Sequence, residues 1–430
     1  MKRYSRITQL LPWLICTLGA IFYSYEYFLR ITPSVMTNEL MHFYHIEDGA
    51  LGSLSAYYYY IYTPMQLLVG VLMDRYGPRR LLTIATLCCV VGSVLFAATH
   101  ELFIAEIGRV LIGFGSAFAF VGVLKLATIW LPRKYFALFA GLATSLGMIG
   151  AIVGDNLMTE MKNALGWQET VMISAVFGVL LALAIGLFVR DKKVFDNTPK
   201  VTSGLVNFSD ALQGLLKIAL TPQFWIVGAI GALLYIPASV FAELWGIPYL
   251  EMHFHFSDTD AASAISLVFL GWVFGGPLYG LFSEKIHSRN IPLIVASLAS
   301  TLAFIALIVP SHLPAWSVFA LLFIIGFVAS GQSLVFAIGK ELGPIKLSGS
   351  SIAFVNMAVM LGGMLLQPIL GYCLQYFNND YHAVLMIIPI GMLLAAILSK
   401  FLLKETACRS KDVPASVYNL KVVRQHLPSS

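Results

Sequence analysis

Long apolar stretches recur from end to end of this sequence, separated by short polar segments. Twelve of them lie between charged residues or Pro/Gly breaks, at approximately 11–32, 48–73, 81–98, 102–124, 135–157, 168–189, 219–247, 262–283, 291–310, 314–338, 349–375 and 382–403. Each has about the 20 residues that an α-helix needs to cross about 30 Å of hydrocarbon. Continuous apolar runs exclude the alternating pattern of a membrane β-barrel. The pattern therefore predicts an all-α polytopic membrane protein with twelve transmembrane helices.

The composition agrees with this prediction. Of the 430 residues, 58% are hydrophobic and 11% are charged, whereas a soluble chain carries about 25% charged residues because its surface faces water. The net charge of +5 suggests anionic partners, but the placement of the basic residues favours an orientation signal. Four of the five cysteines lie in apolar stretches and the fifth in a charged tail. We therefore expect no disulfide framework, no metal, no cofactor and no nucleic-acid partner.

The longest polar stretch divides the twelve spans into two sets of six. This division predicts an N-terminal six-helix bundle, a linker, a C-terminal six-helix bundle and a tail, over 1–189, 190–217, 218–403 and 404–430. Near the end of the linker, Phe208, Leu212, Leu215 and Leu216 fall on one face of a helix. Such a pattern is typical of an amphipathic helix that lies at a membrane surface.

Basic residues concentrate in alternate loops. With the N-terminus inside, the cytoplasmic segments hold Lys2, Arg3, Arg6, Arg75, Arg79, Arg80, Arg133, Lys134, Lys192, Lys193, Lys285, Arg289, Lys340 and Lys346. The outer loops are mainly acidic, so the positive-inside rule predicts an inner-membrane protein with both termini in the cytoplasm. The basic N-terminus imitates a signal peptide, but no small-x-small cleavage site follows it. We expect an uncleaved first helix.

One loop pattern occurs twice, at a constant offset of 210 residues between Gly70 and Gly280. The two copies read Gly70-Val-Leu-Met-Asp74-Arg75-Tyr-Gly77-Pro-Arg79-Arg80 and Gly280-Leu-Phe-Ser-Glu284-Lys285-Ile-His-Ser-Arg289. An ordinary basic loop would explain the arginines, but neither the acid nor the shared register. Glycine allows a neighbouring helix to approach closely, and the acid can accept charge-assisted hydrogen bonds from it.

We expect these loops to form a conformational lock, in which their bases pair across the inner seam between the halves. The lock residues are Gly70, Asp74, Arg75, Arg79, Gly280, Glu284, Lys285 and Arg289. A lock that holds one conformation and releases in another is what alternating access requires. Because the first copy is complete and the second is not, we expect the Asp74 loop to be the stronger lock.

The loop pattern resembles the signature of the major facilitator superfamily between helices 2 and 3, with its weaker echo between helices 8 and 9. The stretch Arg109-Val-Leu-Ile-Gly113-Phe-Gly115-Ser-Ala117 is similar to the motif of that family in helix 4. The resemblance covers essentially the whole chain. It implies two pseudo-symmetric six-helix bundles around a central cavity. Helix 5 lacks the Gly-Pro pair of many proton-coupled drug exporters, which counts against the antiporter branch.

Other stretches resemble the phagosomal nutrient transporter group of intracellular bacteria. They are Tyr25-Glu-Tyr-Phe-Leu-Arg30-Ile-Thr-Pro33-Ser34-Val-Met36, the Tyr57–Tyr60 run before Pro64-Met-Gln66, and Phe354-Val-Asn356-Met-Ala followed by Gly362-Gly363 and Gln367-Pro368. This resemblance implies uptake of amino acids or nucleosides scavenged from a host. Related carriers move siderophores.

Six charged side chains fall within the predicted spans, where charge is costly and usually faces a cavity or a partner: Glu26, Arg30, Glu106, Arg109, Asp155 and Glu243. Glu26 and Arg30 are four residues apart and can pair with each other. Arg109 lies too deep to reach water, and Glu26 is its nearest candidate partner; the alternative is a pair that only fixes packing. Glu243 can carry a proton for symport, or it lies at the outer headgroups. Asp155 is expected nearer the surface.

Uncharged polar residues in the spans are further candidates for substrate binding or coupling, because an amide in hydrocarbon needs a partner. These candidates are Tyr27, Tyr58, Gln66, Tyr235, Gln332, Asn356 and Gln367, of which Asn356 is the strongest. The four consecutive tyrosines spread around most of a helix, so about two of them can face one cavity. We expect Lys125 to extend to the cytoplasmic interface.

Catalytic and nucleotide-binding motifs are absent from the sequence. It holds no G-x-x-x-x-G-K-[ST] loop, no H-E-x-x-H, no Cys/His cluster and no G-x-S-x-G. We therefore predict a monomeric secondary transporter rather than an enzyme: a proton-coupled importer of an amino acid or a similar small polar nutrient. The alternatives are an exporter of a metabolite, drug or siderophore and, more distantly, a non-transporting membrane sensor, for which only the short tail offers a signalling surface.

Overall fold

Twelve long helices make up most of the molecule, of which a computed structural model describes residues 2–191, 208–310, 312–344 and 347–408. They are α1 (Lys2–Arg30), α2 (Asp48–Tyr76), α3 (Pro78–Ala97), α4 (Leu102–Trp130), α5 (Arg133–Leu165), α6 (Trp167–Phe188), α7 (Pro222–Phe254), α8 (Asp258–Ile286), α9 (Asn290–Ile308), α10 (Ala315–Leu342), α11 (Ser348–Tyr376) and α12 (Tyr381–Phe401). Each predicted span corresponds to one of these helices. The twelve-helix fold in two six-helix bundles is confirmed.

Local sequence explains where several helices reverse direction. Gly77 and Gly166 have φ of 80° and 97°, and they separate α2 from α3 and α5 from α6. Glycine adopts this region at no steric cost. Pro78 follows Gly77 as the first residue of α3, where the missing N–H of proline costs no hydrogen bond. Consecutive helices therefore run antiparallel through short, sharp turns.

Four of the long helices are interrupted, which the hydrophobic pattern does not predict. α4 consists of Leu102–Ser116 and Ala119–Trp130, and α12 of Tyr381–Leu385 and Ile387–Phe401. A 3₁₀ segment occupies Ser330–Ser333 in α10, and a wide π-helical segment occupies Pro237–Trp245 in α7. All nine residues of the π segment are buried. Irregular helix at membrane depth is tolerated where it is buried in protein, and π segments often mark functional sites.

Shorter helices connect the long ones. The segment between α1 and α2 contains Thr32–Val35 and Thr37–Tyr44, where the hydrophobic pattern predicts no helix. The predicted helix at the end of the linker is present as Phe208–Ala219. Its side chains from Phe208 to Leu212 lie outside the described residues, as do 192–207 and 409–430. The boundaries of the two bundles, linker and tail stay a prediction.

The two bundles touch backbone to backbone at one end of the molecule. We call the side of the linker helix and of the α2–α3 and α8–α9 turns the linker face, and the opposite side the far face. A Cβ atom on Gly52 of α2 would lie 2.6 Å from the carbonyl oxygen of Gln367 of α11. A Cβ on Gly371 would lie 2.3 Å from the carbonyl oxygen of Asp48. Small residues permit this contact, which closes the far face between α2 and α11.

Candidate functional site

A charged cluster is buried between the two bundles. Arg30 at the end of α1 donates to Glu26 one turn earlier, and its Nε donates to the Tyr58 hydroxyl of α2 at 3.1 Å. Its Nη1 donates to the Tyr235 hydroxyl of α7 at 3.4 Å and lies 3.7 Å from Oε1 of Glu243. Glu26, Arg30 and Glu243 are 0%, 2% and 1% exposed. The predicted Glu26–Arg30 pair is confirmed, and the guanidinium also links the two halves.

Two neighbouring tyrosines of α2 donate hydrogen bonds to different carboxylates. The Tyr58 hydroxyl donates to Glu26, whereas the Tyr59 hydroxyl donates to Glu243 in the other half. Glu243 also accepts a hydrogen bond from Tyr235 at 3.3 Å. From the sequence, Tyr59 was considered as a member of the Tyr57–Tyr60 run but was not singled out. Successive residues of a helix lie about 100° apart, so two adjacent tyrosines can flank one contact and reach different partners.

Aromatic rings surround the Arg30 guanidinium. Its Cζ atom lies 4.4 Å from the ring centroid of Tyr27, 5.1 Å from that of Tyr62 and 5.2 Å from that of Tyr58. A ring face attracts a cation and so replaces part of the water that burial removes. Tyr62 was not among the predicted residues, although its position four residues after Tyr58 places both on one face of α2.

The cluster contains two carboxylates and one guanidinium in direct contact. Oε2 of Glu26 is buried and has no hydrogen-bond partner among the described residues. A buried charge without a partner is costly, so a carboxyl in such a place exchanges its charge for a proton or binds a cation. This arrangement can therefore bind a proton or a charged group of a solute.

Arg109 does not pair with Glu26, so that prediction is wrong. Its guanidinium donates to the backbone carbonyls of Leu29, Arg30 and Ser55 at 3.1, 3.4 and 3.4 Å. Glu26 is already taken by Arg30 on its own helix. The last carbonyls of a helix lack intrahelical partners and carry the negative end of the helix dipole. Arg109 thus caps α1 and holds the helix end that bears Arg30.

The predicted amides lie in three different places. Nδ2 of Asn356 in α11 donates to Oε1 of Gln66 in α2 at 3.0 Å, which joins the two halves. Nε2 of Gln66 has no partner among the described residues. Gln367 donates to the carbonyl oxygen of Ser239 in the π segment at 2.7 Å. Gln332 is buried in the 3₁₀ segment of α10, and none of the cluster hydrogen bonds described above involves it.

The described side-chain contacts of the first copy of the loop motif lie within its own half. Asp74 accepts from Lys125 of α4, so Lys125 has a partner at the linker face and does not extend there unpaired. The Arg79 guanidinium donates to the carbonyl oxygen of Gly186 at 2.6 and 2.9 Å, near the end of α6. The Arg75 guanidinium lies 5.3 Å from the neighbouring Tyr76 ring centroid.

The second copy is likewise tied within its own half. Arg289 donates to Glu341 of α10 at 2.7 Å and to the Ser283 hydroxyl at 2.9 Å. The Glu405 carboxylate, beyond α12, accepts from the backbone N–H groups of Arg289 and Asn290 at 2.9 and 3.0 Å. Burial alone would raise the pKa of Glu405, but the hydrogen bonds that it accepts outweigh burial and lower that pKa. The described ion pairs of both loops lie within their own halves in this conformation, in which the far face is closed.

The motif glycines do not mediate close helix contacts here. A Cβ atom on Gly70 or Gly280 would meet no heavy atom within 4 Å, so the expected close approach is wrong for this conformation. The acid and the base of the second copy, Glu284 and Lys285, are exposed at the linker face. The lock function of the two loops stays a prediction.

At the far face, an ion pair between Lys162 and Asp258 joins the halves. Nζ of Lys162 in α5 is 2.9 Å from Glu39, in the short helix after α1, and 3.0 Å from Asp258 at the start of α8. Asp155, two turns before Lys162, is 0% exposed. It was expected nearer the surface, and the packing of α5 against α8 explains why it is not. The far-face contacts between the bundles are therefore polar as well as apolar.

A membrane protein of twelve helices, with a buried charged site between two six-helix bundles, has the architecture of a secondary transporter. The family model described as Major Facilitator Superfamily matches residues 16–366 and 247–425. The chain belongs to the Major Facilitator Superfamily. The predicted membership is confirmed at the level of the superfamily.

Several transporters are similar in sequence. The probable sulfoacetate transporter SauU of Cupriavidus necator is 22% identical over 87% of this chain and 89% of its own length. The putative transporter AraJ of Escherichia coli (strain K12) is 26% identical over 63% of this chain and 64% of its own length. The lysosomal dipeptide transporter MFSD1 of Mus musculus is 27% identical over 67% of this chain and 64% of its own length. The chain thus spans just under two thirds of AraJ and MFSD1.

A solved structure has the same fold. The crystal structure of a bacterial homolog to the human lysosomal transporter Spinster, in an inward-facing and unoccupied conformation, superposes with a TM-score of 0.75. The superposition covers 90% of this chain and 96% of that chain at 14% identity. At this identity the likeness shows the fold alone.

Proposed function

We propose that this chain is a proton-coupled importer of a small polar nutrient that works by alternating access around the Arg30 cluster. The observation that carries the proposal is the Arg30 guanidinium held between Glu26 of its own half and Glu243 of the other half. Opening the far face moves the two halves apart, so it must break the contact between Arg30 and Glu243. A carboxylate that loses its cation inside a membrane protein gains affinity for a proton.

The order of events follows from these contacts. When the halves separate at the far face, Glu243 loses Arg30 and the Tyr59 hydroxyl and takes a proton from that side. Arg30 keeps Glu26 and turns its free N–H groups toward an anionic group of the solute, a geometry that suits a carboxylate. Closure then carries proton and solute together, and both leave when the linker face opens.

An amino acid or a similar zwitterion suits this site. Arg30 offers N–H donors, and the unpartnered Oε2 of Glu26 offers an acceptor within one helical turn. Donor and acceptor so placed match a carboxylate and an ammonium group on one small molecule. The resemblance to the phagosomal nutrient transporters supports the same solute class. Among the relatives, the names of MFSD1 and SauU specify a dipeptide and sulfoacetate, which are also small polar solutes.

The membrane setting follows from the positive-inside rule. The linker face lies in the cytoplasm with both termini, and the far face lies outside the bacterial inner membrane. The chain works as a monomer, because one chain contains both halves and the complete cluster. The two loop motifs lock the cycle at the cytoplasmic side, the Asp74–Lys125 loop more strongly than the Arg289–Glu341 loop.

Uptake into proteoliposomes tests the proposal. A panel of labelled amino acids, dipeptides and nucleosides is offered with and without an inward proton gradient. We expect gradient-dependent accumulation of at least one member, and its absence for every member contradicts proton-driven import of these solutes. Outward movement driven by the gradient would indicate the exporter instead.

The residue role is tested by Glu243→Gln. We expect this variant to lose gradient-driven accumulation but to retain exchange of labelled for unlabelled solute, because exchange needs no net proton movement. Glu160→Gln is the matched control, since Glu160 is an exposed acid of α5. Unchanged accumulation by Glu243→Gln would remove Glu243 from the coupling mechanism.

A further inference from the structure

A second buried acid lies at the contact between α5 and α8, outside the Arg30 cluster. Asp155 is 0% exposed, and its Oδ2 accepts a hydrogen bond from the Ser266 hydroxyl of α8 at 3.3 Å. Its Oδ1 is buried without a hydrogen-bond partner among the described residues. The acid thus faces the other half of the protein through a single hydroxyl group.

The neighbouring polar groups form a hydrogen-bonded network between the halves. Nδ2 of Asn156 donates to the Ser266 hydroxyl at 2.8 Å, and the Ser263 hydroxyl donates to Oδ1 of Asn156 at 2.7 Å. These bonds join α5 of the first half to α8 of the second. Asp155 therefore lies at a polar seam that must separate whenever the far face opens.

No cation balances Asp155 among the described residues. In the far-face halves of its own helix and of α1, α7 and α8, the charged groups are Glu26, Arg30, Glu160, Lys162, Glu243, Glu251, Asp258 and Asp260. Glu243, the one that acts on it electrostatically, is another acid. Arg30 is bound to Glu26 and Tyr58, and Lys162 is bound to Glu39 and Asp258. Both nearby cations are thus committed to other partners.

An ionised carboxylate in this place would be buried without a counter-charge. Such a charge is costly, whereas a protonated carboxyl with one unbonded oxygen is much less so. A bound metal cation fits poorly, because a hard cation needs about six oxygen ligands. Asp155 has one hydroxyl partner, and that hydroxyl also accepts from the Asn156 amide.

We propose that Asp155 is a proton-binding residue that latches α5 to α8, so that the far face closes only when Asp155 is protonated. Opening of the seam exposes the carboxyl to water, where it releases its proton to the far side. Closing buries the carboxyl again, so Asp155 must first bind a proton. The latch is a proton site separate from the Arg30 cluster, and it rests on the proposed function only in assuming alternating access.

Asp155 binds its proton more tightly in the closed state than in the open state. By linkage, the closed state is therefore favoured at low pH. One proton changes the closed-to-open ratio by at most about tenfold per pH unit. Through Asp155 alone, the closed population should therefore fall as the pH rises, whereas a proton taken up by Glu243 on opening acts in the opposite direction. Asp155→Asn cannot ionise, so its far face should stay closed over the whole pH range.

The test measures a distance in the full-length protein in lipid nanodiscs. Spin labels on Ala164 of α5 and Thr259 of α8, both exposed at the far face, report its opening by pulsed electron resonance between pH 5 and pH 9. Native cysteines are replaced beforehand. All samples carry Glu243→Gln, because Glu243 is proposed to take up a proton when the far face opens. Against this background we expect a pH-dependent distribution with Asp155 intact and for Glu160→Gln, and a closed, pH-independent one for Asp155→Asn.

A second variant separates the proton from the hydrogen bond. Ser266→Ala should lower the closed-to-open ratio about two- to tenfold, the worth of one hydrogen bond, while the pH dependence persists. Three outcomes overturn the proposal: a distribution that does not change with pH while Asp155 is intact, an Asp155→Asn distribution that changes as that of the Asp155 protein does, or a response to sodium rather than to pH. Because this readout needs no solute or gradient and is made without the Glu243 carboxyl, it is independent of the uptake experiment and of the role proposed for Glu243.

Discussion

Replacing Arg30 by methionine removes the guanidinium that Glu26 and Glu243 share, and the structure shows what this costs. The side chain loses its contact with Glu26, its hydrogen bonds to Tyr58 and Tyr235 at 3.1 and 3.4 Å, and the 3.7 Å approach to Glu243. Two carboxylates then remain buried without their cation. Breaking a buried pair from one side costs about 3–5 kcal/mol, mostly because an uncompensated charge stays behind.

The expected loss is therefore about 3–5 kcal/mol in the free energy of unfolding, measured by denaturant titration in mixed micelles. The double variant Arg30→Met/Glu26→Gln removes one of the stranded charges. We expect it to be more stable than Arg30→Met alone, so that the two changes are strongly non-additive. Arg30→Lys keeps the charge but cannot contact both carboxylates. Its free energy of unfolding should therefore lie between those of the methionine variants and that of the wild type.

Arg75→Met serves as the control, because Arg75 is exposed and its described contact is with the neighbouring Tyr76 ring. It should change stability by less than about 0.5 kcal/mol, as surface substitutions do. Additive effects of Arg30→Met and Glu26→Gln would refute the reasoning, since they would mean that Glu26 gains nothing from Arg30. A stability loss under about 1 kcal/mol for Arg30→Met would do the same.

Further predictions concern helix contacts and caps. Gly52→Val should hold the far face open, because its Cβ would lie 2.6 Å from a backbone oxygen, and labelling of an introduced far-face cysteine should rise. In the control Gly349→Ala the added Cβ meets open space, so labelling should equal that of the wild type. Equal labelling of both variants would contradict the contact. Arg109→Met should cost about 1–3 kcal/mol of unfolding free energy through the uncapped end of α1, and an unchanged midpoint would exclude that cap. Glu405 has a lowered pKa, so the stability that it adds is present above its unfolded value of 4.5 and is lost as the pH falls through the folded pKa. Glu405→Gln should weaken the cap on α9 by about 0.5–2 kcal/mol at pH 7, seen as faster hydrogen exchange at the Asn290 amide, and equal protection at pH 7 and pH 3 in the wild type would contradict it.

Part of the candidate site was predictable because it is local. Glu26 and Arg30 lie one turn apart on a single helix, so helical geometry alone brings them together. Glu243 and Tyr235 were chosen as polar residues in an apolar span, where they need partners, and both contact Arg30. Tyr59 was weighed only as a member of the Tyr57–Tyr60 run. Tyr62 was missed, although it follows from the helical repeat of α2 once Tyr58 is placed. The partner of Arg109 was wrong because the unpaired backbone carbonyls at a helix end also accept hydrogen bonds from a guanidinium, and they leave no mark in the sequence.

The sequence by itself determined the twelve helices, the turn at Gly77 and the helix near the end of the linker, because hydropathy and φ preference act over a few residues. Tertiary structure alone decided which helix faces meet. It placed Arg30 beside Glu243, Asp155 beside Ser266 and Arg289 beside Glu341, in pairs separated by 52 to more than 200 residues. These pairings depend on the rotation and depth of whole helices, which small residues such as Gly52 and Gly371 set through close backbone contact. An apolar span has the same hydropathy at any rotation, so periodicity identifies the charged residues without revealing their partners.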